Sequence, residues 1–145
     1  MKNFFKIGFA LLMVLAITLN PKESIAQVDF KSNIGTLVDS VENSTSIYMT
    51  TDSTALNNIG LAGNYSIEAV ATKKSGTADV TIILERFIKN GWKAVDTVGV
   101  VTDVSGAQTF HLDITDKRSK MLRLNAVSGG GTQVVEIRGA LLTFN

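Results

Sequence analysis

From about residue 35 to the C-terminus, apolar and polar residues alternate in short runs, and no window sustains the 3.6-residue period of an amphipathic helix. That alternation admits one local structure, the half-buried β-strand, whose successive side chains point to opposite faces. The clearest runs are "TSIYMTT" (Thr45 to Thr51), "YSIEAVATK" (Tyr65 to Lys73), "ADVTIILERF" (Ala78 to Phe87), "WKAVDTVGV" (Trp92 to Val100), "AQTFHLDI" (Ala107 to Ile114), "KMLRLNAV" (Lys120 to Val127) and "TQVVEIRGALLTF" (Thr132 to Phe144). A weaker run lies near Gly35 to Val41. Turn chemistry separates them: "KKSGT", "KNG", "DVSG", "TDKRS" and "SGGG" each bring Gly, Asn, Asp or Ser to a break. The pattern predicts an all-β chain, a single antiparallel, jelly-roll-like β-sandwich of about 7–9 strands.

Alternation also selects the core. Val80, Ile82 and Leu84 share one face of their run, as do Phe110, Leu112 and Ile114, and Leu122, Leu124 and Ala126. The last run is less regular, because Val134 and Val135 are adjacent, as are Leu141 and Leu142, with Gly139 between the pairs. A glycine inside a strand commonly marks a bulge or bend, so the strand is expected to change facing there.

The N-terminus reads as an address. Lys2 and Lys6 precede an uncharged apolar run from Ile7 to Leu19, Asn20-Pro21 ends it, and Ser24-Ile25-Ala26 offers small residues at the first and third places before Gln27. The run is too short to span a bilayer comfortably, which favours a signal peptide over residues 1–26 with cleavage after Ala26. No cysteine follows it, so no lipoprotein anchor is expected. Residues 27–34 then form an N-terminal arm or linker, with a first strand or a swapped arm as the other readings, and 35–145 form the sandwich domain. The product is expected outside the cytoplasm, whether extracellular, periplasmic or particle-associated, with no further membrane segment. Lys2, Lys6 and Lys22 leave with the leader against Glu23 alone, so the formal net charge of +1 becomes about −1. Lys117, Arg118 and Lys120 cluster, but acids sit beside them and no aromatics interleave, so nucleic acid is not an expected partner. With no cysteine at all, stability must come from the apolar core.

The chain contains one tryptophan, directly after Asn90-Gly91. A two-residue Asn90-Gly91 turn would set Glu85 opposite Asp96, an unfavourable like-charge pair. A turn from Ile88 to Gly91 instead pairs Phe87 with Trp92 and Leu84 with Val95. Trp92 is then chiefly the aromatic pin of the hairpin. A ligand-binding role requires the Phe87/Trp92 face to be exposed. In that case Trp92, Phe87 and Tyr65 are candidate stacking groups, and Asn90, Asp96 and Arg86 are candidate hydrogen-bonding neighbours.

The catalytic inventory is thin. One histidine and no cysteine exclude a Cys-His pair, and His111, the sole histidine, has no G-x-S-x-G nucleophile to serve. His111 and Asp113 share a strand face, where two polar residues are ordinary surface and not a metal site. Glu85 and Asp96 show no sign of the burial that glycosidase acid-base work needs. "SGGGTQ" lacks the Gly-Lys-Ser/Thr ending of a phosphate loop. No catalytic residue, metal or cofactor is expected. Asp39-Ser40-Val41, Asp52-Ser53-Thr54 and Asp96-Thr97-Val98 look like O-glycosylation acceptors of exported bacterial proteins, and Asn43-Ser44-Thr45 and Asn64-Tyr65-Ser66 match the N-glycosylation pattern.

The succession "VTIILERF", "NGW", "VDTV", "KMLRLNAV" and "GGGTQVVEIRGALL", from roughly Tyr65 to Phe144, resembles β-sandwich domains of bacteriophage virion proteins, those of capsids and tail appendages. More distantly, Lys89-Asn90-Gly91-Trp92 resembles the "DGxxW" hairpins of carbohydrate-binding and discoidin-like jelly rolls. The first resemblance implies a non-catalytic structural, assembly or surface-interaction domain that meets protein partners or its own copies through sheet edges. The second implies a secreted module that binds carbohydrate or another small ligand through the hairpin around Trp92. Exposure of the aromatic face discriminates between them.

Overall fold

The computed structural model describes residues 25–51, 64–115, 119 and 121–144. The expected signal peptide lies outside them except for Ile25 and Ala26. Among the described residues there is no helix, and the strands are β1 (Ile25–Lys31), β2 (Asp39–Glu42), β3 (Ser46–Thr51), β4 (Tyr65–Gly76), β5 (Val80–Ile88), β6 (Gly91–Val101), β7 (Ala107–Ile114), β8 (Leu122–Ser128) and β9 (Gln133–Phe144). All pairings are antiparallel. They run in the order β6-β5-β8-β3-β1-β9-β4-β7, with β2 beside β9.

β1 makes this path nearly closed. Ile25 to Asp29 pair with β9, then Phe30 and Lys31 pair with β3, so one strand belongs to both layers. Of the three readings open for residues 27–34, the first strand is the one observed, over Ile25–Lys31. Its own sequence explains why: Val28 and Phe30 alternate with Gln27, Asp29 and Lys31, and both apolar residues are buried.

The two layers enclose an apolar core. Val80, Ile82 and Leu84 of β5, Leu122, Leu124 and Ala126 of β8, and Ile114 of β7 are buried, while Phe110 and Leu112 pack against them partly covered. Phe30, Met49, Tyr65, Ile67, Val135, Ile137 and Leu141 complete the largest part of the core.

Two expectations of register are overturned. The β5–β6 hairpin does pair Phe87 with Trp92, but Leu84 faces Asp96, not Val95. The register slips by one residue between Leu84 and Glu85 and again between Ile82 and Ile83, leaving Val95 and Val98 as extra residues on β6. Val98 tucks into the core. The second correction concerns β9, which does not change facing at Gly139. Gln133, Val135, Ile137, Gly139 and Leu141 all point inward in unbroken alternation. A Cβ on Gly139 would stand 2.2 Å from Leu124 Cδ1 and 3.2 Å from Phe30 Cδ2, so glycine is there to leave room for two core side chains. The slip falls on β4 instead, between Lys73 and Ser75.

Candidate functional site

The outer face of the β6-β5-β8-β3 layer gathers the aromatic residues that the core leaves out. Because Leu84, Leu122, Leu124 and Met49 point inward, their alternates Glu85, Phe87, Arg123, Asn125 and Tyr48 point outward. Cross-strand register then sets Phe87 beside Trp92, Glu85 beside Arg123, and Tyr48 beside Asn125. The Phe87 and Trp92 rings meet edge-on, with centroids 5.5 Å apart and planes at 71°.

Arg123 joins this pair to Tyr48. Its guanidinium carbon lies 4.2 Å from the centre of the Tyr48 ring and 4.4 Å from that of Trp92, within cation–π range of both. Arg123 Nε donates to Glu85 Oε2 at 2.5 Å, and Asn125 Nδ2 donates to Glu85 Oε1 at 3.1 Å, so both carboxylate oxygens are engaged. Asn125 Oδ1 is buried and meets no hydrogen-bond donor among the described residues. Tyr48 is 36% exposed and Phe87 43% exposed, while Trp92 is half-buried. The arrangement is a rigid polar centre with aromatic walls, partly open to solvent.

The residues singled out in the sequence are dispersed differently. Phe87 and Trp92 come together as described. Asn90 sits exposed at the hairpin tip, where its backbone N–H donates to the Ile88 carbonyl. Asp96 lies exposed at the register slip and accepts from the Thr97 backbone N–H at 2.8 Å. Arg86 alternates with Glu85 and Phe87 and so leaves β5 on the other side, where its charge reaches Tyr65. Tyr65 is no stacking group: it is 2% exposed in the core, and burial pushes its phenol up to about 12 against a smaller opposing effect of Arg86. Tyr48, Arg123 and Asn125 were not singled out. Tyr48 alternates with Met49, and Arg123 and Asn125 with Leu122 and Leu124, so the outward direction of all three follows from the same alternation.

The opposite layer presents a different surface. Two shallow cavities of about 250 and 270 Å³ meet at Val70 and Arg138; Glu136 lines the first, and Asp29 and Glu68 the second. Neither has an aromatic lining residue. Nearby, His111 Nε2 lies 3.0 Å from Asp113 Oδ1, and the buried Ser66 hydroxyl also donates to that oxygen. These two bonds, Ser66's first, hold the Asp113 carboxyl below the usual range. The serine hydroxyl is turned to the carboxylate and not to the imidazole, so the three do not form a nucleophile-base pair. Among the described residues no set of three or more His, Cys, Asp or Glu side chains is placed to hold a metal ion.

No protein-family model matches the chain, and no curated protein sequence does. Solved structures do resemble it. The CBM22-1 xylan-binding domain from Paenibacillus barcinonensis Xyn10C superposes with a TM-score of 0.50 at 13% identity, over 84% of this chain and 95% of that one. The enzymatically active domain of the bacteriophage CBA120 tailspike protein 4 gives 0.49 at 10% identity, over 86% of this chain and 20% of that one. A Bacillus endospore appendage of a disulfide-linked pilus family gives 0.47 at 14% identity, over 86% and 92%. A carbohydrate-binding domain is thus among the solved structures that share this fold. At these identities the likeness is one of fold.

Proposed function

We propose that this chain is an exported, non-catalytic β-sandwich domain that binds carbohydrate on the outer face of the β6-β5-β8-β3 layer. One observation carries the reading: Tyr48, Phe87 and Trp92, from three strands, stand partly open on a single sheet face around the Arg123–Glu85 pair. Aromatic rings fixed on a rigid sheet suit the apolar faces of sugar rings, and the polar centre supplies direction. The xylan-binding domain that shares the fold makes carbohydrate a natural first ligand class to test.

A second reading, assembly with protein partners or with further copies, is favoured by β7. This strand pairs with β4 through eight unbroken positions from Ala107 to Ile114, while its other edge has no partner strand among those described. β6, the other end strand of the path, is interrupted twice by extra residues, a feature that discourages edge pairing. A particle-borne domain would add strands at β7.

The test is affinity electrophoresis of the purified protein in gels with and without soluble polysaccharides, beside Trp92→Ala and a β7-edge variant, Thr109→Pro. Retardation that Trp92→Ala removes and Thr109→Pro leaves intact supports the binding face. If no polysaccharide retards the protein, and sedimentation shows oligomers that Thr109→Pro dissolves, the assembly reading replaces it.

A further inference from the structure

Resting on the carbohydrate reading, we infer that the glycan recognised by this face is acidic, and that Arg123 holds its oxyanion, a carboxylate, sulfate or phosphate. The polar groups of the face are unequal in what they offer. Glu85 has both oxygens committed, to Arg123 and to Asn125, and Asn125 Oδ1 is buried. The acceptors at the centre are therefore already engaged or buried, and Glu85 keeps only 13% of its side chain exposed. Arg123 carries five N–H donors, and Nε alone is used by the described residues. Its two terminal nitrogens keep a planar fork, and 18% of the side chain stays open to solvent.

That fork is already immobilised. Tyr48 and Trp92 hold the guanidinium between them, and Glu85 fixes its rotation, so little side-chain entropy remains to be lost on binding. A planar fork matches an oxyanion bidentately. A neutral sugar hydroxyl accepts less strongly from a guanidinium and would also look for an acceptor to receive its own proton.

The charge at this end of the sheet is net positive. Lys89 lies at the hairpin tip, while Arg86 and its cross-strand partner Lys93 leave the hairpin on the side opposite Phe87 and Trp92, so they add to the field from across the strand and not from the face itself; Glu85 and Asp96 oppose them. Lys89 and Lys93 are exposed, and neither has an ion-pair partner among the described residues. On a mature chain of nearly balanced charge, this end is a local positive field that draws polyanions. The opposite layer is mixed in sign: Asp29, Glu68, Glu136 and Asp113 stand there with Arg138 and Lys74, and Lys74 lies 2.9 Å from Glu136.

Affinity electrophoresis separates this inference from the reading it rests on. The gels would contain neutral arabinoxylan or hydroxyethylcellulose in one set, and polygalacturonate, chondroitin sulfate or a poly(glycerol phosphate) in the other. The acidic arms distinguish carboxylate, sulfate and phosphate. We expect retention by at least one acidic polymer to exceed that by the neutral ones about tenfold and to fall as salt is raised. Arg123→Lys, which keeps the charge and loses the fork, should lose most of that excess, whereas Arg138→Gln on the other layer should lose none. Trp92→Phe provides a second variant should Arg123→Lys fold poorly; it keeps a ring against the guanidinium and should weaken acidic retention only a few-fold. Equal retention by neutral and acidic polymers, or acidic retention indifferent to Arg123→Lys, overturns the oxyanion site and leaves carbohydrate binding standing. Retention by none overturns both.

Discussion

Gly139 of β9 and Leu124 of β8 occupy one space: a Cβ on the glycine would stand 2.2 Å from the leucine's Cδ1. The two residues belong to opposite layers, and their contact sets how closely those layers approach. Gly139→Ala is expected to cost about 1–3 kcal/mol, because Leu124, itself 1% exposed, has little room to retreat. The same substitution placed in a Leu124→Ala background should cost less, since the added methyl then enters a cavity. Urea unfolding of the four proteins measures both steps. Equal costs in the two backgrounds would mean that the residues do not compete for space.

Unbroken alternation through Gly139 yields a second prediction. Val135 and Ile137 are both fully buried, so Val135→Lys and Ile137→Lys each place an ammonium in the core. The several kcal/mol this costs is comparable to the whole stability of a domain. Neither variant should accumulate as folded protein. Val134→Lys should fold, because Val134 points to the other face, where Glu42 is its cross-strand neighbour. Circular dichroism of the three proteins checks the pattern; a folded Ile137→Lys would overturn the assigned facing.

What alternation made legible was local. It identified β5 and β8 and their inward residues because each pattern is complete within one strand. It did not anticipate Val95 and Val98 as extra residues, since an apolar residue added to an apolar strand leaves no mark on composition. It placed a bend at Gly139 because glycine was the visible feature, whereas the cause was Leu124 across the core. The site was half legible for the same reason. Phe87 and Trp92 meet across a short hairpin, but Tyr48 and Arg123 are brought together only by the β3–β8 pairing, which joins strands far apart in sequence. Val28 and Phe30 were readable as strand residues but lay beside an apolar leader that accounted for the region in another way.

Gln133 should prove the most sensitive polar residue of the domain. It is fully buried at the start of β9, where Oε1 accepts from the Asp79 backbone N–H at 2.8 Å. Its Nε2 lies 2.5 Å from Ser128 Oγ, 3.1 Å from the Asp79 carbonyl and 3.3 Å from that of Asn43. The side chain thus ties the β2–β3 turn, the start of β5 and the β8–β9 turn together. Gln133→Met keeps the length and removes the bonding: the Asp79 N–H loses its acceptor, while the Asp79 carbonyl keeps the Gly129 N–H and the Asn43 carbonyl keeps the Ser128 hydroxyl. The expected loss is about 1–3 kcal/mol. Hydrogen exchange reads the mechanism directly: the Asp79 amide should lose protection in Gln133→Met by more than the global change explains.

Acid should loosen the Asp103 latch. Its Oδ1 accepts from Lys73 Nζ at 2.5 Å and from the Ala78 backbone N–H at 3.0 Å, which pins the β6–β7 loop to the β4–β5 connection. The Lys73 bond, followed by that of Ala78, holds the carboxyl below the usual aspartate range. A folded-state pKa lower than the unfolded one gives stability that is complete above the unfolded value, near 4, and lost as pH falls through the folded value. Asp103→Asn keeps an acceptor for Ala78 but has no charge for Lys73 and no proton to take up. It should therefore be less stable than the parent at pH 7, and its stability should fall less steeply between about pH 5 and pH 2. Asp113, held down by Ser66 and His111, contributes to the same acid limb and remains in the variant. Thermal melts across that range measure the slope, and parallel curves for parent and Asp103→Asn would show that the latch carries no pH-dependent stability.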